Sequence, residues 1–166
     1  MFEVDFRRLL WAPWRESYIT QHHNNECIFC TAPNQDEKIR LVIYKSKHSI
    51  AMLNKYPYNS GHVMVAPIRH VPSIEMLSEE ELNDLMKTLI KVIKALRLCY
   101  NPHGINVGAN IGRAAGAGIE GHLHIHVVPR WNGDTNFMPV IAGVKVIPED
   151  IYVTWSKIRS CLEKSD

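Results

Sequence analysis

The sequence predicts an α+β fold, a five-stranded antiparallel sheet with one long helix and a C-terminal helix. Two observations lead there. Short β-like runs come as three, then one long amphipathic run, then two more. The linker between the last two runs is short, which with this element order indicates an antiparallel sheet.

The elements follow in order. Residues 1–26 read as irregular or partly helical, with Trp11-Ala12-Pro13-Trp14-Arg15 as an aromatic anchor. Thr31 to Lys38 is polar, holds Pro33, Asn34 and Asp36, and reads as a loop. Leu41-Val42-Ile43-Tyr44 is the first strand. Ser49-Ile50-Ala51-Met52-Leu53 is the second, ended by Asn54. Tyr56 to Gly61 is a turn, and His62-Val63-Met64-Val65-Ala66 is the third strand, stopped by Pro67. Ser78-Glu79-Glu80-Glu81 is a capping box, in which the Ser78 hydroxyl takes an orphan N–H and Glu81 reaches back. Leu82, Leu85, Met86, Leu89, Ile93 and Leu96 then recur at helical spacing. Lys91, Lys94 and Arg97 suit the negative end of the helix dipole, and Asn101-Pro102-His103-Gly104 stops the helix. Ile105 to Asn110 is the fourth strand and the run from His122 to Val128 the fifth. After Pro129 the chain loops to a last helix from about Glu149 to Glu163, with Pro148 at its start.

The 166 residues fit one domain, and 46% hydrophobic with 22% charged is an ordinary soluble composition. A net charge of +2 with no broad basic run argues against a nucleic-acid partner. No apolar stretch approaches the roughly 18 residues of a membrane span. The start, Met1-Phe2-Glu3-Val4-Asp5-Phe6-Arg7-Arg8, lacks a signal-peptide pattern, so the expected location is cytoplasmic. Cys27 and Cys30 form a C-x-x-C, while Cys99 and Cys161 stand alone. In a reducing compartment a C-x-x-C points to metal or redox chemistry rather than a structural disulfide.

The chemistry concentrates in His122-Leu123-His124-Ile125-His126-Val127-Val128-Pro129-Arg130. On a strand, residues two apart share a face at about 6.6–7 Å. The imidazoles then line one side while Leu123, Ile125 and Val127 face the core. A single catalytic metal shared by all the imidazoles fits poorly, because His122 and His126 would lie about 13 Å apart while metal–nitrogen bonds are near 2 Å. Upstream, Gly116-Ala117-Gly118-Ile119-Glu120-Gly121 matches G-x-G-x-x-G literally, but a strand follows where the dinucleotide fingerprint needs a helix. The glycines serve either a tight turn with positive φ or a nest of N–H groups for phosphate oxygens.

The histidine run resembles the His-φ-His-φ-His-φ-φ signature of the histidine triad (HIT) superfamily. Asn54-Lys55-Tyr56-Pro57 and Gly61-His62-Val63-Met64-Val65-Ala66-Pro67 resemble its earlier strand pair. The stretch from Asn106 to Trp131 resembles the Fhit-like and bacterial diadenosine tetraphosphate phosphorylase branches, and Trp11 to Cys30 an N-terminal extension of some bacterial members. The resemblance implies a single domain over 1–166, with an extension over 1–30 carrying the C-x-x-C, and a homodimer. It implies cleavage or transfer of a nucleoside monophosphate group, with adenosine-containing substrates, through a covalent nucleotidyl-histidine.

Carried over by position, the resemblance makes His124 the nucleophile and the His122 carbonyl the group that orients it. His126 becomes a donor near the phosphate and leaving group, and His62 a histidine that packs on the triad and tunes it. Asn54 matches a ribose-binding position, Asn110 a polar position near the phosphates, and Gly116 and Gly118 would offer backbone N–H groups. Read without the family, Asn54 and Asn110 are turn residues and His62 a core histidine. Residues 114–121 lack the Ser, Thr or Gln donors that many members place before the triad, so backbone N–H groups or Arg113 would substitute, and the second acceptor, water or phosphate, stays open. The resemblance also brings His70 and His122 to Cys27 and Cys30 as a closed Cys2His2 set, for which zinc would be structural. His22, His23, His48 and His103 match no role. The leading expectation is a hydrolase or nucleotidyltransferase acting on dinucleoside polyphosphates or nucleotide conjugates. A phosphorylase using inorganic phosphate is a close variant, and a nucleotide-binding interaction protein with little catalysis is the reading from another class.

Overall fold

The computed structural model describes residues 26–164; the aromatic run at residues 11–15 and the pair His22-His23 lie outside the described residues. Helix α1 (Ile28–Thr31) is a single turn, followed by a 3-10 turn over Ala32–Asn34. Strands β1 (Val42–Lys45), β2 (Ser49–Leu53) and β3 (Val63–Pro67) lead into the long helix α2 (Glu79–Tyr100). Strands β4 (Gly104–Ala109) and β5 (Ile125–Arg130) follow, then the short helix α3 (Met138–Ala142) and helix α4 (Ile151–Glu163).

The five strands form one sheet in the order β1-β2-β3-β5-β4, and every pairing is antiparallel. The expected class and strand count therefore hold. Period-two alternation then divides the side chains. Ala51, Leu53, Val63, Val65, Leu123, Ile125 and Val127 pack beneath Leu85, Leu89, Val92 and Leu96 of α2 and Ile158 and Leu162 of α4. On the opposite face Ile50, Met52, Met64 and Ala66 pack against Phe29. Strands β2 and β3 are buried on both faces, which explains why they read as unbroken apolar runs rather than alternating ones.

The α2 cap forms as the sequence predicts. The Glu81 N–H donates to Ser78 Oγ at 3.3 Å and the Ser78 N–H to Glu81 Oε2 at 2.8 Å. Arg69 Nε also donates to Glu81 at 2.7 Å, and chiefly this bond holds the carboxyl down at about 2. Asn101 ends the helix in the left-handed region at φ 42°.

The apolar face needs one correction. Leu82 and Met86, expected on the buried stripe, are 37% and 41% exposed. The buried stripe runs through Leu85, Leu89, Val92 and Leu96 instead, because α4 and the sheet share α2's attention and set its rotation. Helix α3 is a second correction, since the segment after Pro129 reads as a loop to the last helix. The fifth strand starts at Ile125 rather than His122, and α4 starts at Ile151 with Asp150 as its cap, accepting from the Tyr152 and Val153 N–H groups.

Helix α4 lies along α2 and β1, and Trp155 Nε1 donates to the Val42 carbonyl at 2.7 Å where β1 shifts register. Cys99 and Cys161, solitary in the sequence, meet there as a disulfide with Cα atoms 6.0 Å apart and 62 residues between them in sequence. Closing a loop of that length restricts the unfolded chain by about 4 kcal/mol in the chain-entropy model. Cys161→Ser is therefore expected to lower the unfolding free energy by up to that amount, read in urea titrations under oxidising conditions. Equal midpoints for the variant and the oxidised parent would contradict the staple.

Candidate active site

Five histidines, His62, His70, His122, His124 and His126, and two cysteines converge where β3, β5 and α1 meet. His122 precedes the sheet, in a bend. Its neighbour Leu123 donates its N–H to the Val71 carbonyl at 2.6 Å, which holds His70 beside His122. The His122 ring is fully buried, and its Nε2 lies 2.8 Å from the Pro67 carbonyl, so Nε2 carries the proton. The Nδ1 lone pair is then left facing Cys27 Sγ at 3.2 Å, Cys30 Sγ at 3.5 Å and His70 Nδ1 at 3.2 Å.

His124 points away from that cluster. Its Nδ1 lies 2.8 Å from the His122 carbonyl, which can only accept, so Nδ1 bears the proton and Nε2 presents a lone pair. A second chain of donors fixes His126. The Tyr58 N–H donates to His62 Nδ1 at 3.1 Å, so His62 carries its proton on Nε2. That Nε2 lies 2.9 Å from His126 Nδ1 and donates to it, leaving the His126 proton on Nε2. The His124 and His126 rings stand edge to face with centroids 4.9 Å apart. One imidazole thus offers a lone pair beside another that offers a proton.

Electrostatics keep the supporting rings neutral. Burial, then the charges His126 and His124 would carry, push His62 down to about 3. Burial first also lowers His122 and His126 from their ordinary value. Phe29, fully buried, packs with centroids 5.0 Å from His122 and 5.1 Å from His124. This residue within the C-x-x-C carried no sequence signal, since only the fold places it between the two rings.

Cys27, Cys30, His70 and His122 offer four ligand atoms that all lie within 4.8 Å of one another. A tetrahedral zinc site with bonds of about 2.0–2.3 Å has ligand–ligand edges of roughly 3.3–3.8 Å. Four of the six separations, at 3.2–3.5 Å, are close to that size, and all six are within 4.8 Å. The His122 Nε2–H on a carbonyl is the outer-sphere bond that metal-binding histidines usually make. Both thiols are free, and burial together with Cys27 pushes the Cys30 thiol up to about 11. The donor set therefore fits a soft divalent cation. At Gly121 a Cβ would come within 3.1 Å of His70 Nε2, so this position admits glycine for close approach.

His126 lines a cavity of about 410 Å³ together with Asn106, Gly108, Asn110, Arg130 and Lys145, among others. Of the expected substrate residues only Asn110 lines it, and its Nδ2 also donates to the Gly116 carbonyl at 3.4 Å. Gly116 closes a 3-10 turn over Arg113–Ala115 at φ 86°, the turn account of the glycines, while Gly118 has open space around it. Asn54 borders a separate crevice of about 20 Å³, and its Oδ1 accepts from the Tyr56 N–H. His48 and His103 lie elsewhere, on Glu80 and the Asn132 N–H respectively. Arg130 and Lys145 were not singled out. Arg130 shares the face of His126 at the i+4 position of β5, a signal the strand period carries; Lys145 had none.

Fold and site together define an α+β sheet protein with an oriented, unprotonated imidazole nitrogen on His124, next to the cavity-lining His126 and braced by a Cys2His2 cluster. The HIT domain model matches residues 35–133, and the chain belongs to the HIT domain family. It is similar to an AP-4-A phosphorylase of Mycobacterium tuberculosis, 41% identical over 149 residues, which are 84% of this chain and 76% of that one. An asymmetrical bis(5'-nucleosyl)-tetraphosphatase of Schizosaccharomyces pombe is 36% identical over 93 residues, 56% of this chain and 50% of that one. Among solved structures, a hypothetical histidine triad nucleotide-binding protein from Sulfolobus tokodaii superposes with a TM-score of 0.67 at 30% identity, covering 83% of this chain and 93% of the other.

Proposed function

We propose that this chain is a nucleotidyltransferase or hydrolase that cleaves dinucleoside polyphosphates at the α-phosphate through a covalent nucleotidyl-histidine on His124. The observation that carries this reading is the His124 Nδ1–H held on the His122 carbonyl at 2.8 Å, which leaves Nε2 unprotonated. The Nε2 lone pair forms a bond to the α-phosphorus. The phosphorus–oxygen bond to the remaining polyphosphate breaks, and its electron pair stays on the leaving oxygen, beside the His126 Nε2–H. Positive charge that appears on the His124 ring is stabilised at Nδ1 by the carbonyl. In the second step water or phosphate attacks the phosphorus, and the nitrogen–phosphorus bond breaks back to Nε2.

Further parts of the reading follow the family resemblance rather than the site geometry. The chain forms one domain over 1–166 with its extension over 1–30, works as a cytoplasmic homodimer, and takes adenosine-containing nucleotides. Zinc held by Cys27, Cys30, His70 and His122 serves structure, since four protein ligands leave no open position for substrate. Among the described residues no helix is long and apolar enough to cross a membrane.

The relative of 41% identity named as a phosphorylase favours phosphate as the second acceptor. Diadenosine tetraphosphate incubated with the full chain separates the acceptors. Phosphorolysis yields ADP and ATP and depends on added phosphate; hydrolysis yields AMP and ATP without it. The expected products are ADP and ATP. Absence of both product pairs, with the chain folded and metal-loaded, would remove the reading.

A further inference from the structure

We propose that Arg130 and Lys145 form an anion subsite that holds the polyphosphate portion of the substrate, the part that leaves when the α-phosphate is transferred. The inference rests on the nucleotidyl-transfer reading and names the group beyond its reacting phosphate.

The two cations are built into the cavity. Arg130 donates from Nε and Nη2 to the Asp134 carboxylate at 2.6 and 3.1 Å, and from Nη1 to Asn106 Oδ1 at 2.9 Å. Lys145 Nζ donates to the Asp134 carbonyl at 2.5 Å and stands 3.7 Å from its carboxylate. Asp134 is the buried anchor, with its side chain 6% exposed. It also accepts from Asn59 Nδ2 at 2.8 Å and from the Trp131 N–H at 3.2 Å. Arg130 chiefly holds its carboxyl far below the usual range.

Charge and donor counts then point outward. One carboxylate faces two cations, so a net positive charge remains. A guanidinium has five N–H donors and an ammonium three; the bonds above leave both groups with donors free. Arg130 and Lys145 both line the cavity that His126 lines, and among the described residues lining it none is acidic. His126 and Arg130 are four residues apart on one face of β5, about 13 Å along the strand. That distance is longer than a single phosphate and suits a chain of several. The loop at residues 114–121 offers no side-chain hydroxyl or amide, and Arg113 does not line the cavity, so the polyphosphate is gripped from the β5 side instead.

The test compares the full chain with Lys145→Met, which keeps the stem and removes the charge. Two substrates are assayed: diadenosine tetraphosphate, and the p-nitrophenyl ester of AMP, whose leaving group carries no phosphate. The variant is expected to lose about 10–100-fold in kcat/KM on the first, the effect of a charge-assisted contact, and to retain activity on the second within about twofold. Binding of inorganic tripolyphosphate, measured by calorimetry, should weaken about 10-fold or more in the variant. Equal losses on both substrates, or no loss on either, would overturn the subsite, as would wild-type protein that does not bind tripolyphosphate. If wild type binds tripolyphosphate, the variant binds it more weakly and neither substrate turns over, the subsite stands and the transfer chemistry on His124 fails. Arg130→Lys serves as a second variant, keeping the charge near Asp134 while removing the fork, and is expected to show a smaller loss on the tetraphosphate alone.

Discussion

Replacing His124 with Gln is expected to lower turnover of a dinucleoside polyphosphate by on the order of 10⁵–10⁶-fold, the scale on which covalent catalysis fails when its nucleophile is removed. Gln replaces the ring with a polar side chain of similar length that has no lone-pair nitrogen, so the variant should remain folded while losing the nucleophile and the Nδ1 bond at 2.8 Å. His126→Ala should cost less, about 10²–10³-fold, because the donor stabilises charge without forming a bond to phosphorus. This unequal pair of losses separates the transfer mechanism from a binding protein, in which both substitutions would change affinity and neither would set a rate. Rapid acid-free quenching of wild type with labelled substrate should trap an adduct on the protein that is lost at low pH and absent from His124→Gln. Turnover of the Gln variant within about tenfold of wild type would refute the assignment of His124, whatever becomes of the fold.

The roles come from the family resemblance; what strand periodicity supplies is the side each ring faces, and only where the ladder survives. From Ile125 onward, odd residues face α2 and even residues face the cavity, as the alternation predicts. Upstream the rule breaks. His122 lies outside the ladder, its backbone tied instead to the 71 segment through Leu123, so its ring turns to the cysteines rather than standing in line with His124 and His126. The histidine run is therefore not three equivalent rings on a strand. One ring, His126, lines the cavity, one, His122, belongs to the neighbouring cluster, and His124 stands between them on the His122 carbonyl.

Local chemistry was legible in the same way. The Ser78–Glu81 box and the Asn101 stop depend only on residues within one turn, and both form. The rotation of α2 depends on what packs above it, and there the pattern misled at Leu82 and Met86. Asn54 ends β2 as the sequence indicates, but its side chain closes its own turn on the Tyr56 N–H and borders a different crevice from the cavity of His126. Long-range pairings had no local signal at all: Phe29 on the triad, Lys145 beside Asp134, and Cys99 against Cys161.

Removing the metal is expected to have the largest effect on stability. Structural zinc sites contribute apparent binding energies of about 10–16 kcal/mol at neutral pH. Only the part coupled to global unfolding appears in a melting experiment. A share of about 5 kcal/mol, at roughly 2–4 °C per kcal/mol for a chain of this size, corresponds to a fall of about 10–20 °C. The cluster ties segments distant in sequence, with Cys27 and Cys30 on one side, His70 after β3, and His122 before β5. Without the cation, the imidazole lone pairs have only the weak S–H donors of Cys27 and Cys30 at 3.2–3.5 Å in its place. Cys27→Ser should reproduce the loss seen with a competing chelator, and adding chelator to the variant should do little more. His70→Ala should do so as well, although His70 touches none of the groups that contact phosphate in the proposed reaction. Activity should fall with the metal, because the carbonyl that orients His124 belongs to His122, whose ring is one of the four groups of the Cys2His2 cluster. Metal analysis should find close to one zinc per chain in freshly purified protein. A metal-free preparation with an unchanged melting temperature would show that the four donors make an ordinary polar cluster, and that the fold holds His122 in place without help.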